Sequence, residues 1–117
     1  MTCRARTRQQ GWGLRAVCLA GSAMLVVSAH AADLDIKQRA IRFNQSAASV
    51  KSGDTIRFHN EDDVTHNLMV TGSDGEPQDQ GLQKPGTVTS VKFTEQGTFE
   101  VRCAIHPWMK MTVTVSR

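Results

Sequence analysis

Cys-Ala-Ile-His-Pro-Trp-Met, residues 103–109, is the stretch from which the rest of this 117-residue sequence is best interpreted. It places a thiol at Cys103, an imidazole at His106 and a thioether at Met109, at intervals of three residues, and His66 supplies a second imidazole upstream. Two histidines, one cysteine and a weak axial methionine form a ligand set that suits copper in both of its common oxidation states. The sequence therefore predicts one mononuclear copper site and, with it, a role in electron transfer.

Zinc is the main alternative metal, because two histidines and one cysteine with an open fourth position also describe a catalytic zinc site. A thioether is a soft ligand that favours copper, and no acidic residue lies within residues 103–109 to activate a zinc-bound water. Met111 stays open as a substitute axial ligand, although its parity with Val113 and Val115 indicates a core position. We therefore expect copper with Met109 as the axial ligand.

The amino-terminal segment is typical of a cleaved export signal. Arginines precede an apolar run over residues 16–27, which is too short to span a bilayer. Ala29 and Ala31 then occupy the small-residue positions that signal peptidase recognises. We predict cleavage between Ala31 and Ala32 and export to the bacterial periplasm.

Cleavage divides the chain into a signal peptide over residues 1–31 and a single mature domain over residues 32–117 without a membrane anchor. Four of the 14 basic residues and none of the 11 acidic residues leave, so the mature domain has one more acidic than basic group. This balance favours neither nucleic acid nor an anionic membrane as a partner. Cys3 and Cys18 also leave, so Cys103 becomes a lone thiol that a bound metal would protect in an oxidising compartment.

Short segments of alternating apolar and polar residues dominate the mature chain, and no long segment has helical spacing. Six to eight short strands predict an all-β, single-domain antiparallel sandwich with Greek-key connections. Residues 72–86, rich in Gly, Pro and polar residues, are expected to form a long surface loop. The acidic turn at residues 61–63 is expected to be solvated and to lie outside the site.

Side-chain parity directs two of the predicted ligands inward. Cys103 shares a strand face with Phe99 and Val101, and His66 shares one with Leu68. The other two ligands lie in the loop between the last two strands. Rigid strands and one short loop would together hold the metal.

The sequence resembles the cupredoxins, the small blue copper proteins of the plastocyanin and azurin group, over nearly all of the mature chain. The short Cys-x-x-His-Pro-aromatic-Met loop is most like that of the amicyanins, although Ile105 stands where amicyanin-like loops carry proline. The likeness rests on a turn and strand, a His-Asn pair and the ligand loop: Gly53, Asp54, Thr55, Ile56, Phe58, Asn60, His66, Asn67 and residues 103–109.

This resemblance implies that His66, Cys103 and His106 are the strong ligands of one type 1 copper ion and that Met109 is the axial ligand. Asn67 would lie just outside this set, with its backbone N–H directed at the Cys103 sulfur. Its side chain would tie the ligand loop to the neighbouring strand. Such contacts tune metal affinity and reduction potential.

The resemblance also implies a function. His106 would reach solvent as the electron port, and Pro107 and Trp108 would form an apolar rim for transient docking. A monomer that carries single electrons between redox proteins of the periplasm is the predicted function; copper trafficking or resistance with the same site is the alternative. An enzyme is not expected, because four protein ligands leave no open position for a substrate.

Overall fold

The computed structural model describes residues 21–28 and 30–117. Most of the predicted signal peptide, including Cys3, Cys18 and Ala29, lies outside the described residues, so its cleavage stays a prediction. None of the residues that are described forms a helix long and apolar enough to cross a membrane.

Nine strands form two sheets in the described part of the chain, with the orders β2-β1-β4-β7 and β3-β9-β8-β5-β6. The predicted all-β sandwich is confirmed. In chain order the strands are β1 (Asp33–Arg39), β2 (Arg42–Phe43), β3 (Ala47–Lys51), β4 (Asp54–Asn60), β5 (His66–Thr71), β6 (Pro77–Gln83), β7 (Val88–Phe93), β8 (Gly97–Arg102) and β9 (Lys110–Ser116).

Two of the strand pairings are parallel rather than antiparallel. β1 pairs with β4 and β3 pairs with β9 in parallel, whereas the other five pairings are antiparallel as expected. Alternation along a strand records which face is buried, but it does not record the direction of the neighbouring strand. The sandwich is therefore mostly antiparallel, with two parallel pairings that the alternation could not indicate.

The expectation of one long loop over residues 72–86 was also wrong, because this segment contains β6. β6 is an edge strand that begins at Pro77. Proline has no N–H to donate to the ladder, so strands tolerate it at their first residue or at a sheet edge. Most of its residues are exposed on both faces, so they show no apolar alternation. Gly81 interrupts it with a left-handed backbone, φ 96°.

The apolar core lies between the two sheets and is built from alternate residues of the strands, as the period-two pattern predicts. Ile36 of β1 and Phe58 of β4 are register partners and are both fully buried. The buried apolar cluster comprises Ile36, Ala48, Val50, Ile56, Phe58, Leu68, Val70, Val91, Phe93, Val101, Met111, Val113 and Val115.

A charged cluster on the outer face of the first sheet links stability to pH. Arg57 donates to both carboxylate oxygens of Asp35, at 2.8 and 3.0 Å, and His59 Nε2 lies 2.7 Å from Asp35 Oδ1. These contacts, Arg57 first and His59 second, lower the pKa of Asp35 from 3.8 to about 2. Between these two pKa values the unfolded chain binds more protons than the folded chain. The stability that this ion pair contributes is therefore present above the unfolded pKa of Asp35 and is lost as pH falls through the folded pKa.

We expect Asp35→Asn to reduce the loss of stability on acidification from about pH 4 to pH 2, the window between the unfolded and folded pKa. Urea unfolding at a series of pH values measures this dependence. Glu95→Gln is the control, because Glu95 is exposed and forms no ion pair within residues 30–117. An acid dependence equal to that of the wild type would show that this ion pair is not linked to folding.

Candidate metal centre

Three donor atoms meet at one end of the sandwich. His66 begins β5, Cys103 directly follows β8, and His106 lies in the loop between β8 and β9. The Nδ1 atoms of the two histidines are 3.2 Å apart, and Cys103 Sγ lies 3.9 Å from Nδ1 of His66 and 3.7 Å from Nδ1 of His106. All three donor atoms lie within 4.8 Å of one another.

The size of this triangle fits one metal ion. Metal–nitrogen bonds of about 2.0 Å and a metal–sulfur bond of about 2.3 Å, set at trigonal angles, separate the nitrogens by about 3.5 Å and each nitrogen from the sulfur by about 3.7 Å. The observed separations of 3.2, 3.7 and 3.9 Å are close to these values. One thiolate and two imidazoles, with methionine nearby in sequence, form the donor set that copper favours.

Burial differs among the three donors. His66 and Cys103 have no exposed surface, as their strand parity predicts, whereas His106 is half-buried. The His106 ring stands edge-on to the His66 ring, with ring centroids 5.1 Å apart, and to the Trp108 ring at 5.5 Å. His106 is therefore the member of this trio that reaches the surface.

The ligand loop is braced by its own backbone. The Cys103 N–H donates to the Met109 carbonyl at 3.0 Å, and the Met109 N–H donates to the His106 carbonyl at 2.9 Å. The loop closes directly onto the antiparallel pair Arg102 and Lys110. The seven residues 103–109 thus return the chain to the sheet, and both ends of the loop are held by hydrogen bonds. This bracing is present although Ile105 stands where amicyanin-like loops carry proline.

The two candidate axial methionines lie in different surroundings. Met109 is 1% exposed and stands outside the apolar cluster of the core. Met111 is 2% exposed, pairs with Val101 and belongs to that cluster. This separation supports Met109 as the axial ligand, and the assignment stays a proposal.

Asn67 contacts both the thiol and the ligand loop. Its backbone N–H points to Cys103 Sγ at 3.3 Å, and its side-chain carbonyl accepts a hydrogen bond from the Ala104 N–H at 2.9 Å. An N–H group aimed at the sulfur can donate a hydrogen bond to a thiolate, the form of cysteine that binds metals. The side-chain bond ties the start of the ligand loop to β5.

Asp62 is a member of the site that the sequence did not reveal. Its Oδ2 lies 2.6 Å from Nε2 of His66, the ring nitrogen that faces away from the sulfur, and only 9% of its side chain is exposed. The expectation of a solvated turn holds for Glu61 and Asp63, which are exposed, but it was wrong for Asp62, because the turn between β1 and β2 packs over that side chain. The Ile41 N–H of that turn donates to the carboxylate at 3.0 Å from a left-handed backbone with φ 57°.

Burial raises the pKa of Asp62, but its hydrogen bonds with His66 and with the backbone of Ile41 and Ala40 lower it by more. The net pKa lies below the ordinary value, so the carboxylate is ionised at neutral pH. A carboxylate on the outer nitrogen of a ligating histidine fixes the tautomer and ring orientation and raises the basicity of the ligand.

We expect Asp62→Asn to raise the reduction potential of the copper-loaded protein. Asparagine keeps an acceptor for the His66 ring but removes the negative charge. That charge stabilises the cupric state relative to the cuprous state, so its loss raises the potential. A tenfold loss of Cu(II) affinity alone corresponds to about 59 mV for a one-electron couple. Voltammetry measures the shift, with Asp63→Asn as the control. A potential equal to or lower than that of the wild type would contradict this role.

A buried amide holds the turn that carries Asp62. Asn60 is 1% exposed; its Nδ2 donates to the carbonyls of Val64 and Gln83, both at 2.9 Å, and its Oδ1 accepts from the Asp62 N–H at 3.0 Å. A buried polar group that loses its hydrogen-bond partner lowers the stability of the folded state. The three hydrogen bonds of Asn60 therefore hold the turn in place.

Asn60→Ala is expected to lower the free energy of unfolding by about 2–4 kcal/mol, since it leaves two carbonyls and one N–H without this partner. Chemical denaturation measures the loss. Asn44→Ala, which removes one exposed hydrogen bond to the Lys37 N–H, is expected to cost about 1 kcal/mol or less. Equal losses for the two variants would contradict the account.

Comparison with known proteins agrees with this geometry. Residues 30–116 match the model for copper-binding proteins of the plastocyanin/azurin family. The chain is similar to the methylamine utilization protein MauL of Methylorubrum extorquens, with 31% identity over 88 residues that cover 75% of this chain and 77% of MauL. It is also 28% identical to amicyanin-alpha of the same organism over 102 residues, which cover 86% of each chain.

The fold is that of solved amicyanin structures. A variant of amicyanin in its Cu(I) form has a TM-score of 0.66 and 24% sequence identity, over 72% of this chain and 82% of that chain. The resemblance that the ligand loop indicated is therefore confirmed. The chain belongs to the plastocyanin/azurin family of copper-binding proteins, and its cluster of His66, Cys103 and His106 fits a type 1 copper site.

Proposed function

We propose that this protein is a periplasmic carrier of single electrons, with one copper ion held by His66, Cys103, His106 and, axially, Met109. The observation that carries the proposal is the compact triangle of one sulfur and two nitrogens, closed by buried side chains at the end of a rigid sandwich. Copper bound there supplies the one-electron chemistry of its cuprous and cupric forms.

The residues around the donors hold them in place whichever oxidation state is present. Asp62 orients the His66 ring, Asn67 directs its N–H at the sulfur, and the backbone bonds between Cys103 and Met109 close the loop. A donor set whose positions are fixed by its surroundings needs little rearrangement when an electron arrives or leaves. This rigidity favours electron transfer over catalysis at an open site.

The surface at this end is suited to brief contact with a redox partner. His106 is half-buried beside Trp108, which is 65% exposed, so the ligand ring provides a short route from copper to the surface. Apolar side chains grouped on a surface commonly mark an interaction site. Within residues 32–117 the exposed large apolar residues all lie in the ligand loop or near strand ends on the copper side: Val64, Leu82, Val88, Ile105 and Trp108.

Copper trafficking or resistance, the alternative from the sequence, is less well supported. A protein that hands copper to an acceptor needs ligands that the acceptor can reach, whereas His66 and Cys103 have no exposed surface. The enclosed donors favour retention of the metal. The similarity to amicyanin-alpha and to plastocyanin supports the same choice.

Electrochemistry and metal transfer distinguish the two functions. A carrier is expected to give reversible one-electron voltammetry and rapid electron self-exchange in mixtures of its Cu(I) and Cu(II) forms, observed as NMR line broadening. It is also expected to be exported and to begin at Ala32, which cell fractionation and intact mass measure. Slow self-exchange together with fast loss of copper to a competing chelator would instead support copper trafficking.

A further inference from the structure

A carboxylate on the exposed edge strand reaches the residues that hold the thiol. Asp79 lies in β6, and its Oδ1 accepts two hydrogen bonds of 2.8 Å, one from Nδ2 of Asn67 and one from the N–H of Gly81. Neither the proposed ligand set nor the docking surface uses Asp79. Its partner Asn67, however, contacts Cys103 and Ala104 directly.

The chemistry of the Asn67 side chain gives this contact its importance. An amide presents a carbonyl oxygen on one side and an NH₂ group on the other, and rotation by half a turn exchanges them. The Ala104 N–H requires the carbonyl, which accepts it at 2.9 Å. An ionised carboxylate only accepts hydrogen bonds, so Asp79 binds the NH₂ group and leaves the carbonyl facing Ala104.

The backbone of β6 brings the carboxylate to this position. The pairing of β5 with β6 shifts register between Asn67 and Met69, which marks a bulge. Gly81 adopts φ 96° there, a backbone conformation that residues with a side chain rarely adopt. Its N–H donates to the same Asp79 oxygen that accepts from Asn67. The bulge and the carboxylate therefore act together at the edge of the second sheet.

We propose that Asp79 is a positioning residue of the copper site, because its carboxylate orients the Asn67 side chain and thereby fixes the Cys103–Ala104 segment that carries the thiolate. This inference rests on the copper site of the proposed function, but the positioning itself exists in the metal-free protein. An edge strand outside the ligand loop thus contributes to the geometry of the sulfur.

Amide hydrogen exchange of the Ala104 N–H in the metal-free protein tests the positioning without copper. Asp79→Ala is expected to accelerate this exchange about tenfold, the factor that corresponds to one hydrogen bond of ordinary strength. Asp79→Asn keeps an oxygen that can accept from both donors and removes only the charge, so its exchange is expected to match that of the wild type. Asp74→Ala is the control, because within residues 30–117 the Asp74 carboxylate accepts only a local bond from the Glu76 N–H.

The copper-loaded variants give a second measurement. Asp79→Ala is expected to shift the visible thiolate-to-copper band, whereas Asp79→Asn and Asp74→Ala leave it in place. Unchanged exchange at Ala104 in Asp79→Ala would overturn the proposal. So would an equal acceleration throughout β5 and β6, since that would mean that Asp79 only holds the edge strand.

Exchanging the two partners keeps the proposal testable if Asp79→Ala does not fold. In the double variant Asn67→Asp with Asp79→Asn, an amide again faces a carboxylate, and a carboxylate oxygen faces Ala104. This variant is expected to restore slow exchange at Ala104, and fast exchange would overturn the proposal. Because the hydrogen-exchange readouts use metal-free protein, they stand apart from failure of the electron-carrier function, which would appear only in voltammetry and self-exchange.

Discussion

Replacing Cys103 with serine is expected to abolish the intense visible band of the copper-loaded protein and to weaken copper binding severely. The band arises from charge transfer between the thiolate and Cu(II), and Cys103 carries the sulfur of the donor triangle. Serine is close in size, so it keeps the fully buried position filled while removing the sulfur. Absorbance titration with Cu(II) measures both effects, and we expect a reduction of more than tenfold in the band.

Folding of the Cys103→Ser variant must be established separately. The metal-free variant is expected to keep the β-sheet circular dichroism spectrum of the wild type, because Cys103, although fully buried, lies outside the contiguous apolar cluster between the sheets. If a folded variant retained the full band, the thiolate of Cys103 would not be the ligand responsible for it.

Replacing Met109 with leucine is expected to raise the reduction potential while the protein keeps its colour. Leucine nearly conserves the volume of a side chain that is 1% exposed, so packing changes little. The substitution removes the thioether that we propose as a weak axial donor, and the potential of such sites is tuned by the axial ligand. A tenfold preferential loss of Cu(II) affinity raises a one-electron potential by about 59 mV, which sets the scale of the expected shift.

Met111→Leu is the matched control for this prediction. Met111 is as deeply buried as Met109 but packs against Val101 within the apolar cluster. Its substitution is expected to change stability by less than about 1.5 kcal/mol and to leave the potential unchanged. If the potential rose in Met111→Leu and not in Met109→Leu, the axial assignment would be wrong.

Much of the fold could be predicted because burial repeats with period two along most strands. Ile56 and Phe58 alternate with polar neighbours and do face the core. β6 was missed because an exposed edge strand has no buried face to leave a pattern. The two parallel pairings were missed because strand direction depends on contacts far apart in the sequence, such as Leu34 beside Ile56.

The candidate site, like the fold, could be predicted from the sequence only in part. The ligand run and His66 could be selected because the residue types, their spacing and their parity are all local properties of the sequence. Asp62 and Asp79 could not, because each acts through a contact that depends on the folded backbone: Asp62 with His66 across a turn, and Asp79 with Asn67 across a bulge. The spacing of four residues between Asp62 and His66 was the one available signal, and acidic turns are usually solvated.

The most direct test of the central claim is a Cu(II) titration of the mature protein followed by visible absorption and electron paramagnetic resonance. We predict an intense thiolate-to-copper band that saturates at one equivalent of copper, together with the narrow copper hyperfine splitting of a type 1 site. A colourless complex with the wide splitting of ordinary tetragonal Cu(II) would contradict the claim that His66, Cys103 and His106 form a type 1 copper site.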